Sequence, residues 1–268
     1  MLSILTVNIG AASRERAEAM LRWLVARPED VFILTETSGG TGTAYLLDRF
    51  LQAGYVVVHT PDANGDRGTA IVSRIAVSEP LSARFASVTI PGRVAAAVLD
   101  TEPTTAVLGV YVPSRDRSAD KTEKKQAFVG SLLGALDELP PELRDWLVLG
   151  GDYNVIARTH TPLHPGFLPF EFGLLDALEA HGLVDAHERC SPGEQAYSWI
   201  GRTGDGYRYD YLHVGRELAG RITGCAYLHE TREQRLTDHA AVTLKLGVDK
   251  VKLLTTGNPA EEEAATLF

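Results

Sequence analysis

The chain is short of cysteine, with two in 268 residues, Cys190 and Cys225. Two thiols exclude a disulfide scaffold and a cysteine-built zinc site, and they fit a cytoplasmic protein. Each reads as a buried thiol. Long hydrophobic runs are missing too; none approaches the roughly 18 apolar residues of a membrane helix. The first run, Leu2–Val7, follows no basic segment and is too short for a signal peptide, so it reads as a strand. Positive charge is scarce, with 26 Lys and Arg against 35 Asp and Glu and a formal net charge of −9. That balance speaks against a tight, non-specific nucleic-acid binder. It leaves room for an enzyme with a local basic strip, and it suits a site that gathers carboxylates around a divalent metal.

What is present is an ordinary globular composition, 44% hydrophobic and 23% charged. Strand-like and helix-like runs alternate. Strands are expected at Leu2–Val7, Val31–Leu34, Tyr55–His59, Gly68–Ser73, Val94–Leu99, Ala106–Val112 and Trp146–Leu149. Helices are expected over Arg14–Ala26 with Ser13 as cap, Ala44–Gln52, Asp120–Leu136, and Phe170–His181 closed by Gly182. The last third carries strands at Ala196–Ile200, Tyr207–Val214, Ile222–His229 and Ala240–Leu246. With no internal repeat and no linker, residues 1–246 read as one domain of mixed sheets flanked by helices. Residues 247–268 differ in composition, with Glu261, Glu262 and Glu263 near the end, and read as a flexible acidic tail.

The most informative stretch is Gly151-Asp152-Tyr153-Asn154, which follows the apolar run Trp146–Leu149. A glycine pair ends a buried strand there, and a carboxylate and a carboxamide two apart can share a face. One takes protons or a cation; the other donates and accepts hydrogen bonds. By itself the pair is as consistent with a plain Asx turn. Other polar residues also end apolar runs, where the sites of α/β proteins gather. They are Asn8, Glu36, Tyr111 in Tyr111-Val112-Pro113, Asp210 inside Tyr209–Leu212, and Asp238-His239.

In this order the residues resemble the endonuclease/exonuclease/phosphatase superfamily. Its Asn after strand one, "QET"-like Glu, "YxP", "GDxN", late Asp and "SDH" stand here as Asn8, Glu36, Tyr111–Pro113, Gly151–Asn154, Asp210 and Thr237–His239. Gly68–Arg74 is similar to its "GxAILSR" strand. Tyr197–Ile200 with Gly206–Tyr211, and Gly166–Glu171 with His181–Ala186, resemble the exonuclease III and apurinic/apyrimidinic (AP) endonuclease branch. Arg117, six residues after Tyr111, matches the arginine that follows that branch's "YVPN". The inositol-phosphatase segments are absent. The resemblance spans about residues 2–246. It implies a four-layer α/β sandwich, two packed mixed β-sheets flanked by helices. Four departures bear on abasic-site specificity more than on phosphodiester chemistry. Gly10 replaces the acid or amide two after the Asn, Thr35 and Ser38 flank Glu36 in place of Gln and Lys, Ser114 ends "YVPN", and Tyr207 stands for a tryptophan.

The implied activity is phosphodiester hydrolysis with Mg²⁺ or Mn²⁺, by a DNA repair endonuclease or 3′-exonuclease. Glu36 would be the main metal ligand, supported by Asn8 and by Asp238. Asp152 would orient or deprotonate water with Asn154 beside it, and His239, oriented by Asp210, would face the phosphate. Tyr111, Arg117 and Arg208 would bind phosphate oxygens. Lys121, Lys124 and Lys125 beside Arg115 and Arg117 form either a basic strip for DNA or a solvated face. Trp199 and Tyr207 either stack on a base or sugar or belong to the core. His160 and His164 are separated by Pro162 and are not expected to hold zinc. The last five residues, including Leu267 and Phe268, loosely resemble a sliding-clamp docking peptide. A monomer is expected. The alternatives are a phosphoesterase acting on a small phosphate ester or phospholipid headgroup, and a binding module without activity.

Overall fold

The run Leu2–Asn8 forms β1, and its apolar side chains are buried on both faces. Leu2 and Ile4 face one apolar layer and Leu5 and Val7 the next, as the two-residue strand period requires. A strand apolar on both faces must be covered on both faces, and this sets the layering.

The computed structural model describes residues 1–60, 65–162 and 164–261. β1 lies in a six-stranded sheet with β2 (Val31–Thr37), β3 (Val56–His59), β4 (Gly68–Ser73), β14 (Ile222–Leu228) and β15 (Ala241–Leu246), in the order β14-β15-β1-β2-β4-β3. A second six-stranded sheet contains β5 (Val77–Pro80), β6 (Val94–Leu99), β8 (Thr105–Tyr111), β9 (Leu147–Asp152), β10 (Val184–Asp185) and β13 (Asp210–Val214), ordered β10-β13-β9-β8-β6-β5. Each sheet is mixed: β1–β2 and β8–β9 run parallel, and the other pairs run antiparallel. Two short pairs complete the strands, β7 (Thr101–Glu102) with β16 (Asp249–Lys250), and β11 (Trp199–Ile200) with β12 (Gly206–Tyr207).

Ile4, Ile33, Ile71 and Leu244 of the first sheet meet Val107, Val148 and Leu212 of the second. Helices α1 (Arg14–Val25) and α2 (Thr41–Gln52) cover the outer face of the first sheet through Met20, Leu21, Leu46 and Phe50. Helices α3 (Ala119–Asp137) and α5 (Pro169–Ala180) cover the second through Phe128, Leu132, Leu174 and Leu178. One-turn helices α4 (Pro141–Arg144), α6 (Ala186–Cys190), α7 (Arg216–Ala219) and α8 (Glu230–Glu233) link the strands. The result is the expected four-layer sandwich. No helix among the described residues is long and apolar enough to cross a membrane.

Three expectations change. The domain does not stop at residue 246. Val248 is buried, β16 pairs with β7, Lys250 Nζ lies 3.1 Å from Asp30, and Leu254 N donates to Arg74 O. Apolar and charge contacts therefore hold residues 247–257 to the body, and Arg49 reaches on to the Pro259 carbonyl. Leu267 and Phe268 lie outside the described residues. The expected strand Tyr207–Val214 is split, because Tyr209 N and Asp210 N both turn to the Ser198 hydroxyl at 2.9 and 3.0 Å. Glu36 does not end β2; it is the bulged residue between Thr35 and Thr37, at φ 57°. A bulge re-aims one side chain, and here that side chain is a carboxylate.

Candidate active site

Both parallel strand pairs end at the same rim, where α/β sites form. In the second sheet Tyr111 is in register with Asp152, and Asp152 with Asp210, so three polar side chains share a row. In the first sheet Asn8 ends β1 beside Thr35, next to the Glu36 bulge. Gly151 permits the close packing behind this row. It sits at φ 142°, and a β-carbon there would stand 1.9 Å from the Val110 carbonyl oxygen.

Hydrogen bonds join the two sheets. Asn8 Nδ2 donates to Asp152 Oδ2 at 2.9 Å, and the other Asp152 oxygen accepts from Asn154 N at 2.9 Å. Asn154, at φ 50°, gives its amide Nδ2 to the Val112 carbonyl at 3.0 Å. Tyr111 Oη donates to Glu36 Oε1 at 2.7 Å. His239 Nδ1 donates to Asp210 Oδ2 at 2.7 Å; a carboxylate only accepts, which fixes the tautomer. Asp152, Asp210 and His239 offer ligand atoms within 4.8 Å of one another, all buried. Asp210 Oδ1 is buried without a partner among the described residues.

Burial raises the Asp152 carboxyl above the usual carboxylate range, and the neighbouring Asp210 charge raises it further. Burial alone would lower His239, but the Asp210 charge and hydrogen bond outweigh it and push the imidazole up to about 10. Burial, followed by the charges of Asp152 and Glu36, holds the Tyr111 phenol protonated far above its ordinary value. The site thus pairs a basic carboxylate with a charged imidazole.

This buried row, in this fold and order, decides the family: the pattern of the endonuclease/exonuclease/phosphatase family matches residues 5–257. The chain belongs to that family. The three activities in the family's name share one chemistry, hydrolysis at phosphorus. An AP endonuclease from Archaeoglobus fulgidus has the same fold, with TM-score 0.76 at 22% identity, covering 92% of this chain and 100% of that one. The Neisseria 3′ phosphatase NExo, solved with a product DNA hairpin, gives 0.75 at 23% identity over 92% and 99% of the two chains. The Xenopus laevis APE2 catalytic domain gives 0.70 at 18% identity over 96% and 94%. No curated protein sequence matches significantly.

Beside the family row lies a cleft of about 430 Å³, lined by Arg117, Asn154, Phe167, Trp199, Arg202 and Tyr209 among others. Arg117 is exposed at this cleft. Trp199 packs 5.9 Å from Tyr207, whose ring stacks on Tyr209 at 5.5 Å. Tyr207 is largely buried between that ring and His160, and it lines the cleft together with Trp199 and Tyr209. Trp199 Nε1 donates to Asp238 Oδ2 at 2.9 Å, so one oxygen of this exposed acid is already engaged.

Arg208 is not at the phosphate position. Its guanidinium turns inward to Asp185 and Tyr227, both at 2.6 Å, and lies 4.4 Å over the Tyr211 ring. The basic strip is also dispersed. Lys121 pairs with Asp116 and Lys124 with Asp66, while Lys125 and Arg115 are buried on Glu171. The sequence left Lys125 and Arg115 either in a basic strip for DNA or on a solvated face, and this buried triad is neither. Lys125 Nζ lies 2.6 Å from both the Asn154 carbonyl and Glu171 Oε1, so the triad holds the Asn154 turn. A signal existed: Lys125 falls on the apolar stripe of α3 with Phe128, Val129 and Leu132.

Proposed function

We propose that the protein is a divalent-metal-dependent phosphodiesterase acting on DNA, an endonuclease or 3′-exonuclease of the exonuclease III type. The observation that carries the reading is the buried chain Asn8–Asp152 with Asp210–His239 at the rim shared by both sheets. The DNA-acting names of the structural relatives favour DNA over small phosphate esters.

A hard cation takes oxygen donors. Glu36 fits, because Oε1 accepts from Tyr111 while no group among the described residues donates to Oε2. Asn8 Oδ1 and the exposed Asp238 would add to the donor set, although Asn8 Oδ1 already accepts from Gly10 N at 2.7 Å and Asp238 from Trp199 and Thr237. The compact Asp152–Asp210–His239 group could also hold a cation, but there Asp152 Oδ2 already accepts from Asn8 and Asp210 Oδ2 from His239. Mg²⁺ or Mn²⁺ at Glu36 would supply Lewis acidity at a phosphoryl oxygen.

The chain's own groups do the rest. Asp152, made basic by burial, removes the proton of the attacking water, and Asn8 holds the carboxylate in place. Asn154 Nδ2 is committed to Val112, which leaves its amide oxygen to accept from that water. The His239 imidazolium, fixed through Nδ1, offers Nε2–H to the phosphate. Tyr111 orients Glu36, and Arg117 contributes charge from the cleft edge.

The test is a cleavage panel of abasic duplex, nicked duplex, single-stranded DNA, RNA, bis-p-nitrophenyl phosphate and inositol phosphates, each with Mg²⁺, Mn²⁺ or EDTA. Cleavage of a DNA substrate that is lost in EDTA is expected, with a steep decline in rising salt. Hydrolysis confined to the small esters, or undiminished in EDTA, overturns the reading.

A further inference from the structure

Residue 10 is one of the four positions at which the chain departs from the pattern it resembles, and the structure shows what surrounds it. After Asn8 the backbone turns through two left-handed residues, Gly10 at φ 55° and Ala11 at φ 44°. Arg16, in the first turn of α1, folds back on this corner and donates through Nη2 to the Gly10 and Ile9 carbonyls. These bonds fix the guanidinium in place. Its Nε is buried without a partner, and no carboxylate among the described residues pairs with the group.

A β-carbon on residue 10 would stand 3.4 Å from Arg16 Nη2, 3.7 Å from Glu36 Oε2 and 3.7 Å from Thr237 Oγ1. Arg16 and the open oxygen of Glu36 therefore flank one point and lie within about 7 Å of each other, the sum of the first two distances. They make no ion pair, and because Nη2 gives its hydrogens to the two carbonyls, Nη1 is the donor left for an oxygen brought by another molecule. A fixed cation here has two electrostatic effects. It opposes a metal ion held by Glu36, and it attracts a phosphate oxygen that approaches the metal.

We propose that Arg16 is a phosphate-binding residue of this active site, standing in for the acid or amide that residue 10 lacks. Its charge binds the substrate phosphate and leaves the cation to Glu36 with no further carboxylate at that corner. The proposal rests on the phosphodiesterase reading above.

The experiment uses the full chain and the variants R16Q, R16K, G10D and R16Q/G10D, each checked by thermal melting. Mn²⁺ binding is measured without substrate by electron paramagnetic resonance. KM and kcat are measured on whichever panel substrate the parent cleaves. For R16Q, KM should rise about tenfold or more with kcat changed far less, the order expected for a lost charge-assisted hydrogen bond. Mn²⁺ should bind R16Q about fivefold tighter, because the opposing charge is gone. R16K keeps the charge without the fork, so its Mn²⁺ affinity should stay near the parent's while KM rises partway. G10D alone should gain little Mn²⁺ affinity, because Arg16 neutralises the new carboxylate. R16Q/G10D should gain more than the two single changes together.

A folded R16Q with the parent's KM and Mn²⁺ affinity overturns the proposal, and so does an R16K whose Mn²⁺ affinity shifts as far as that of R16Q, since a lost charge and not a lost fork is what the proposal requires. Should R16Q not fold, G10D decides: Mn²⁺ affinity raised more than about tenfold with Arg16 present overturns it. A parent that cleaves nothing in the panel fails the functional reading instead, and the Mn²⁺ titration still reports on Arg16.

Discussion

The Asp210 carboxylate keeps His239 charged at neutral pH, and it does so from a fully buried position. His239 lies up at about 10 in the folded chain, above its ordinary 6.5. The stability this pairing contributes is therefore complete below 6.5 and is lost as pH rises through about 10. Cleavage should follow two limbs. It should rise as Asp152 ionises, above the usual carboxylate range, and fall as His239 loses its proton near 10. In Asp210→Asn the charge that lifts His239 is gone, so the alkaline limb should move toward neutrality; a pH–rate profile of the variant checks this. Asp152→Asn and His239→Ala should each lower kcat by about 10² or more, the usual scale for a lost general base or oxyanion donor. A folded variant of either kind with the parent's kcat would sink the role assigned to it. These residues were legible because polar groups at the ends of apolar runs stand out in a sequence. Arg208 misled because the sequence places it beside Asp210 and says nothing of its rotamer. The inward site made by Asp185, Tyr227 and Tyr211 draws it away.

Helix α3 and helix α5 are joined through Lys125, Glu171 and Arg115, all nearly inaccessible. Burial lowers the Lys125 ammonium from its usual value, while the Glu171 charge opposes the fall. Taking away one partner of such a group leaves a buried charge unpaired, at about 3–5 kcal/mol. Glu171→Gln should lower stability on that scale in chemical denaturation. It should also reduce kcat, because Lys125 would release the Asn154 carbonyl and the turn that holds Asp152. Loss of stability with unchanged kcat would mean that the triad is structural alone. At this scale the helices and long strands were legible. Ser13 caps α1 as expected, and β4 and β6 keep their expected limits. The Glu36 bulge was not legible, because a bulge depends on the partner strand β4 and leaves no local periodicity to read. The short pair of β11 and β12 was hidden likewise, since tertiary contacts at Ser198 break the expected strand.

Across the whole molecule, the segment after β15 closes the sandwich. Asp30 is buried and receives Ser3, Arg74 and Lys250. Burial would raise its carboxyl, but these donors together hold it below the usual range. Its contribution to stability is therefore present above the unfolded value and is lost as pH falls through the folded one. Truncation after Leu246 should remove Val248 from the core, Lys250 from Asp30 and β16 from β7. A loss of roughly 3 kcal/mol or more is expected from one buried aliphatic side chain and one broken buried pair, read as a lower denaturation midpoint. An unchanged midpoint would return these residues to the status of a tail. The sequence misjudged them because Val248 and Lys250 alternate with the exposed Gly247, Asp249 and Val251, and only the packed body supplies their partners. By itself the sequence determined the layers and the chemistry at phosphorus. Apolar periodicity requires cover on both faces of each sheet, and Gly151-Asp152-Tyr153-Asn154 with its ordered partners names the family. Only the tertiary structure decided which charges face the cleft. Arg208 is drawn inward to Asp185, Arg115 and Lys125 line the cleft while paired to Glu171, and Arg16 is held near Glu36 by the Gly10 carbonyl, because a long side chain goes where packing offers it a partner.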